Sequence, residues 1–392
     1  MLIDYAEHLN KAEIIKLGSY YTPQILVDKV HNYIQPYLKN KKNTIIFDSA
    51  GGCGAFITRG LKDYDYRIAD KDYQACSFVS EQFNAEKVYC VNSLENVDRK
   101  KFSIPKSSFL IIIGNPPYND TTSEFKSGEK GVNICDDDLK DRDLGVSFLK
   151  SYNKLKADIV CILHPLSYLI KEANFKRLKG FKDNYKLIKG EIFSSELFKG
   201  TGKIKFPILV ALYERNSDGM TFDYIRNFRF NLLNSNKEFI LSHYETTDGY
   251  INKYPPRKND IQKSPIGLYY WTFRDINSLK KNTSFILNKH VNGIVVTLEN
   301  FYKYAYLYSF KTLFNPDEIW LYGNLSPLID IRKVERDKKL YVLYTIKNNP
   351  VLKEIKPMII RKIAKFYNIE NNKREDVSSI ENEIKKRLKK LI

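Results

Sequence analysis

From Thr44 to Tyr213 the chain repeats one pattern, a short apolar run followed by a stretch of helical spacing. The runs are TIIFD, YRIAD, KVYCVN, FLIIIGN, ADIVCILHP and FPILVALY, each rich in β-branched or aromatic residues. Runs of that length and composition predict strands, and helix-length spacers between them predict parallel strands with helices on both faces. The expected fold class is therefore α/β, a Rossmann-like, doubly wound, mainly parallel sheet. Beyond about residue 215 the βα rhythm stops. Tyr, Lys and Asn become common, and turn signals appear at YPPRKND from Tyr254 and NPDE from Asn315. Two domains follow, 1–215 and a second of α+β type over 216–392, as a chain of 392 residues exceeds what one core usually serves.

Three local patterns interrupt this alternation. In IIIGNPPYND an apolar strand stops abruptly at Asn115, Pro116, Pro117 and Tyr118. The segment from Asn119 to Asp143 is polar and almost without period, which suggests a loop ordered by a ligand. At the far end SSIENEIKKRLKKLI places Ile380, Ile384, Leu388 and Leu391 on one helical face, with Ser378 and Glu381 spaced as a capping box.

Charge narrows the partners. Lys and Arg number 64 against 46 Asp and Glu, a net charge of +18, and a field of that sign attracts polyanions, nucleic acid first. No apolar stretch approaches the roughly 20 residues that span a bilayer, and the N-terminus lacks the pattern of a secretion signal, so no membrane partner and a cytoplasmic address are expected. The five cysteines are dispersed and never form CxxC, which supports neither a disulfide framework nor a metal site.

Candidate chemistry sits at the strand ends. FDSAGGCGAF ends its strand at Asp48 and continues Ser49, Ala50, Gly51, Gly52, Gly54 into an apolar helix start. Glycines there permit a tight turn and let a ligand approach the backbone. Asp70 closes the next strand about 20 residues on, where a carboxylate can accept two hydrogen bonds from ribose hydroxyls. An amide followed by a proline offers two acceptors in a fixed turn, the Asn115 side-chain oxygen and the Pro116 carbonyl. Tyr118 can stack on a planar ring, an interaction worth about 1–3 kcal/mol per base.

With the glycine loop, Asp70 and the Asn-Pro-Pro-Tyr tetrad in this order, the chain resembles the class I S-adenosylmethionine-dependent methyltransferases. LGSYYTP, from Leu17 to Pro23, precedes the glycine loop and narrows the resemblance to the gamma-order N6-adenine DNA methyltransferases. That resemblance implies S-adenosylmethionine as cofactor, with Tyr21, Thr22 and Pro23 closing over its methionine end and Asp48, Ser49, Ala50, Gly51, Gly52, Gly54, Asp70, Asn92 and Asn115 around it. It puts Phe148, in DLGVSFLKSYNKLK, against the cofactor adenine. It assigns catalysis to Asn115, Pro116, Pro117 and Tyr118, and a second aromatic on the target base to Phe198, with Phe206 as rival. Thr22 and Pro23 also read simply as a helix start. Two positions depart from the family pattern: Ser49 stands where proline is common, and Asn92 where an Asp is usual.

The implied activity is methyl transfer to adenine N6 of a base flipped out of duplex DNA, in a restriction-modification setting. A restriction endonuclease would act on the same site without being bound, and the expected state is a monomer. The C-terminal domain would recognise the target, with Tyr254 to Lys263, including Arg257 and Lys258, FYKYAYLYSFK and IRKVERDKK as candidate surfaces. The aromatics of FYKYAYLYSF, at helical spacing, favour core over base platform. Alternatives are methylation of ribosomal RNA adenine or guanine or of a protein glutamine, or a catalytically silent DNA-binding protein. NPDE at Asn315 lacks the ExK partner of a nuclease.

Overall fold

The structure is a computed structural model that describes residues 22–38, 43–57, 61, 64–118, 135–198, 206–246, 262–271, 284–313, 328–369 and 376–389. The chain forms two compact units, 1–240 and 241–392.

The first unit is built on a nine-stranded sheet. Its strands are β1 (Thr44–Asp48), β2 (Asp65–Asp70), β3 (Val88–Cys90), β4 (Phe109–Gly114), β5 (Ile159–Pro165), β6 (Tyr185–Ser194), β7 (Pro207–Arg215), β8 (Phe230–Leu232) and β9 (Glu238–Phe239). They lie in the order β3-β2-β1-β4-β5-β7-β6-β8-β9. The first five are parallel, β7 is antiparallel to both β5 and β6, and the expected doubly wound, mainly parallel sheet is what the chain makes. β1 and β4 bury every residue from Thr44 to Asp48 and from Leu110 to Gly114, which is why both read as unbroken apolar runs rather than alternating ones. The unit ends after Ile240 rather than at 215, because β8 pairs with β6 and β9 with β8, extending the sheet past the last strand that the βα rhythm marks.

Helices cover the sheet. α1 (Gln24–Leu38) buries Leu26, Val27, Val30 and Ile34, and α2 (Tyr73–Gln82) is capped by the Asp72 carboxylate on the backbone N–H groups of Gln74 and Ala75. α3 (Leu144–Lys154) starts at Asp143, whose side chain accepts from the Gly145 N–H. The stretch after the glycine loop differs from expectation: residues 52–57 form successive turns, closed by Gly54 N–H on the Gly51 carbonyl and Ile57 N–H on the Gly54 carbonyl, in place of a helix start. Gly52 and Gly54, with φ of 48° and 77°, hold left-handed conformations that allow these turns.

The second unit is α+β. Its aromatic-rich helix Phe301–Leu313 buries Phe301, Tyr304, Tyr306 and Tyr308 in one core with Tyr341, Tyr344 and Ile363, so FYKYAYLYSF is core, as its spacing favours. The last helix begins at Val377, one residue before Ser378. Asp376 therefore precedes it, and Ser378 does not cap it. Ile380 and Ile384 are buried as the pattern predicts, while the Leu388 and Leu391 side chains lie outside the described residues. No helix among the described residues is long and apolar enough to cross a membrane.

Candidate active site

Strand order alone locates a site. Chain connections leave β1 toward β2 on one side and β4 toward β5 on the other, and a crevice opens at the carboxyl ends of strands where that order reverses. The register pairs Asp48 with Ile113, so the ends of β1 and β4 reach the edge together.

At the end of β1, Asp48 is buried and accepts the Ala50 N–H at 3.2 Å on Oδ1, while Oδ2 has no partner. Burial, with a smaller contribution from the negative Asp70, pushes the Asp48 carboxyl up to about 7. The next strand must pass close by. A Cβ on Gly114, whose φ is 146°, would come within 2.7 Å of Asp48 Oδ1, so glycine is the residue that lets β4 deliver the following amide here. Ser49 turns inward, its hydroxyl 3.0 Å from that of Tyr152 on α3.

Asp70 lies at the end of β2, and both its oxygens are engaged. Oδ2 accepts the Gly52 N–H at 2.8 Å and Oδ1 the Asp72 N–H at 2.9 Å, so the carboxylate holds the glycine loop in place. Burial raises its pKa as well. Gly51 sits where a Cβ would come within 2.5 Å of the Ile68 side chain. Past β3, the Asn92 side-chain oxygen accepts the Leu94 N–H at 3.0 Å, closing an Asx turn, and the neighbouring Ser93 hydroxyl is buried without a partner.

Past β4 lies the tetrad. The Asn115 amide donates to the Thr22 hydroxyl at 3.3 Å, joining two segments 93 residues apart. Its Oδ1 is buried and has no hydrogen-bond partner. Pro116 is buried, and Pro117 and Tyr118 are half-buried. The Tyr118 ring meets Phe206 edge to face, with centroids 6.4 Å apart. The aromatic beside the tetrad is therefore Phe206, not Phe198. Phe198, which closes the turn Ser195–Leu197 after β6, is only 2% exposed and packs in the core against Phe193. Phe206 is held at the start of β7, donating its N–H to the Ser195 hydroxyl and accepting the Ser195 N–H.

Five buried side-chain oxygens among the described residues have no hydrogen-bond partner: those of Asp48, Ser93, Asn115, Asn153 and Tyr270. Three of these, Asp48, Ser93 and Asn115, lie at or just past the carboxyl ends of β1, β3 and β4. An unmade buried hydrogen bond costs about 1–3 kcal/mol, so their clustering at one edge is what a polar ligand with donors would relieve. This edge therefore has unpaired acceptors, the Ser93 hydroxyl and open space at Gly52 for a polar ligand with a cationic group. Phe148 on α3 is buried, 6% exposed, with its ring 6.3 Å from Tyr152. Tyr21 lies outside the described residues, as do Arg257 and Lys258 of the candidate recognition surface and Asn315.

Sequence reasoning missed the support beneath the tetrad. Asp143 caps α3 and also accepts the Tyr168 hydroxyl, and a Cβ on Gly145 would run into that hydroxyl and come 3.1 Å from the Tyr118 Cβ. The available signal was DLG, a capping residue followed by a glycine in the first helical turn. Beside it His164 is fully enclosed between Tyr168 and Tyr213. Its ring nitrogens meet the Pro165 carbonyl and the Tyr213 hydroxyl, and burial holds its pKa down at about 4, so it stays neutral.

Comparison with known families finds no match, and none of the curated proteins matches. Among solved structures, a protein of Listeria monocytogenes assigned as a class I S-adenosylmethionine-dependent methyltransferase aligns at 16% identity and a TM-score of 0.38, over 51% of this chain and 62% of that one. The methyltransferase subunit of a type I restriction-modification system from Streptococcus thermophilus aligns at 15% and 0.38, over 56% of this chain and 49% of that one. A protein of Pyrococcus horikoshii assigned as an RNA methyltransferase aligns at 14% and 0.35, over 51% and 88%. This chain thus spans about three fifths of the first of these and half of the second, and identities no higher than 16% are too low to carry a substrate across.

Proposed function

We propose that the chain is an S-adenosylmethionine-dependent methyltransferase acting on the exocyclic amine of adenine in DNA, the base being turned out of the duplex to reach the edge of the sheet. One observation carries this reading. Asn115 Oδ1 is a buried acceptor with no donor among the described residues, beside two half-buried aromatic rings, in a chain whose net charge of +18 favours a polyanionic substrate.

The cofactor would lie across the ends of β1, β2 and β3. The free oxygen of Asp48 suits a cationic group, the open space at Gly52, where a Cβ would meet nothing within 4 Å, admits close approach, and Asp70 keeps lone pairs for ribose hydroxyls while it holds the loop. When bound, it supplies an electrophilic methyl group on a sulfonium sulfur.

The protein's own part is to prepare the nitrogen. An aromatic amine is a poor nucleophile, because its lone pair is delocalised into the ring. Asn115 Oδ1 and the Pro116 carbonyl can each accept one of its hydrogens, bonds that strengthen as the nitrogen becomes tetrahedral and acquires positive charge. Thr22 fixes the amide so that its oxygen faces away from the donating NH2. Tyr118 and Phe206 would hold the base, which must leave the helical stack to arrive. The proton released after transfer passes to solvent. No covalent nucleophile enters, and neutral, enclosed His164 takes no part in proton transfer.

A glutamine amide or an RNA adenine would satisfy the same two acceptors, and the charge balance favours nucleic acid over protein. The test incubates the purified chain with methyl-labelled S-adenosylmethionine and, separately, plasmid DNA, total RNA and a translation release factor, and then maps the modified group. Label in N6-methyladenine of DNA is expected, with Asn115→Ala lowering the rate about 10²–10³-fold, the usual cost of one transition-state hydrogen bond. Label in RNA or protein alone sinks the DNA assignment. An active Asn115→Ala enzyme sinks the mechanism.

A further inference from the structure

The second unit carries a helix, Pro357–Phe366, whose two sides differ sharply. At about 100° per residue, Met358, Arg361, Lys362, Lys365 and Phe366 fall on one face about 140° wide, and all five are exposed. The opposite side is tied down. Ile363 is fully buried, and Tyr367, just past the helix, is 6% exposed and hydrogen-bonds the Leu298 carbonyl and the Tyr302 N–H. The cationic face is thus mounted on a fixed platform.

Its charges are also unbalanced. PMIIRKIAKF contains no acid, and from Pro350 to Ile369 five cations face one acid, Glu354. Arg361 and Lys365 stand four residues apart, where like charges destabilise a helix. No ion pair among the described residues relieves them. The helix Ile331–Asn348 behaves differently: Arg332 meets Asp330 at 3.4 Å, Arg336 meets Asp337 at 3.0 Å and Lys338 meets Glu335 at 3.4 Å. Two large apolar side chains, Met358 at 59% and Phe366 at 47% exposure, flank the free cations.

We propose that this outer face, Arg361, Lys362 and Lys365 between Met358 and Phe366, is a phosphate-binding surface for the backbone of duplex DNA. The inference rests on the nucleic-acid reading above and identifies where the second unit would hold the duplex. A lipid surface fits less well. An interfacial helix must insert a broad apolar side, and here Ile359, Ile360 and Ile363 pack on the protein core, leaving only Met358 and Phe366 of its large apolar side chains outside it. A helix about 10–12 Å across matches a major groove about 12 Å wide, and unpaired Lys and Arg suit phosphate oxygens.

The test measures binding of the full chain to a mixed-sequence duplex of about 30 base pairs, and to a structured RNA, across a salt series. The triple variant Arg361→Ala/Lys362→Ala/Lys365→Ala is compared with Lys106→Ala/Lys179→Ala/Lys237→Ala, which removes the same charge from exposed positions of the first unit. Expected is a tenfold or greater loss for the first variant alone, with the slope of log affinity against log salt falling by about 2.7, or about 0.9 per lost phosphate contact. Unchanged thermal midpoints show that both variants fold. Wild-type affinity and slope in the first variant, or an equal loss in the second, overturn the surface. A loss confined to RNA overturns the choice of duplex DNA. Methyl transfer is scored separately in the wild type, so DNA binding through this face without any transfer condemns the proposed reaction and leaves the surface standing.

Discussion

The carboxyl edge of the sheet and the helical core of the second unit treat buried acids in opposite ways. Asp330 and Asp337, each with side chains only 2% exposed, are surrounded by cations: Arg332 and Lys333 for the first, Arg336 and Arg387 for the second. Asp48 is equally hidden and meets no cation among the described residues. It keeps one oxygen unpaired and is pushed toward neutrality. A fold that pairs its buried charges in one region has the means to pair them in the other. The unpaired set of Asp48, Ser93 and Asn115 therefore marks where something other than the protein completes the bonding, at a standing cost in stability. Tyr270 is the exception in the second unit, a buried hydroxyl without a partner that nothing in the structure explains.

If that division into site and scaffold holds, substitutions should separate stability from activity. The largest separation is expected between two phenylalanines. Phe198→Ala empties a core position and should cost about 3–5 kcal/mol, lowering the thermal midpoint by ten degrees or more while the folded fraction keeps its activity. Phe206→Ala should leave the midpoint within a few degrees and weaken capture of the target base by about 1–3 kcal/mol, read as loss of affinity for a duplex with an unpaired adenine. Reversed results would return the stacking role to Phe198.

Next is a matched pair of amides. Asp337→Asn removes the charge that Arg336 and Arg387 share and should destabilise by about 1–3 kcal/mol. Asp48→Asn should do the reverse above neutrality. Its folded pKa, near 7, exceeds the unfolded value of 3.8, so the folded state holds the extra proton between those values. Stability from this group is therefore fullest below about pH 4 and is lost as pH rises to about 7. Melting both proteins from pH 5 to 8 should find Asp48→Asn gaining on wild type by several degrees with rising pH. Parallel curves would show that Asp48 ionises freely.

The smallest effect belongs to Thr22→Val. It removes the partner of the Asn115 amide and should slow methyl transfer by about tenfold or less, corresponding to about 0.5–1.5 kcal/mol for one hydrogen bond, with the midpoint nearly unchanged. A rate equal to that of wild type would mean that the turn alone orients Asn115.

Much of this was legible from residue types in order. Strands β1, β4, β5 and β7 are strongly apolar and β2 alternates buried Tyr66 and Ile68 with polar positions, so pattern and length find them. Asp48, Asp70 and Asn115 are polar residues at the end of such runs, which a doubly wound sheet must deliver to one edge. Short strands with weak patterns, β8 and β9, were invisible, and with them the true end of the first unit. Phe198 and Phe206 were indistinguishable in sequence, since both are aromatic and both lie near the sixth and seventh strands.

The sequence by itself therefore determined which elements form and what chemistry their ends carry, because both depend on local pattern and residue type. Only the tertiary structure decided which distant groups meet: Thr22 with Asn115, Tyr118 with Phe206, and Gly145 between Tyr118 and Tyr168. Only it decided which atoms are left over, Asp48 Oδ2 and Asn115 Oδ1. Pairing and exclusion of water belong to packing across the chain, and no single segment encodes them.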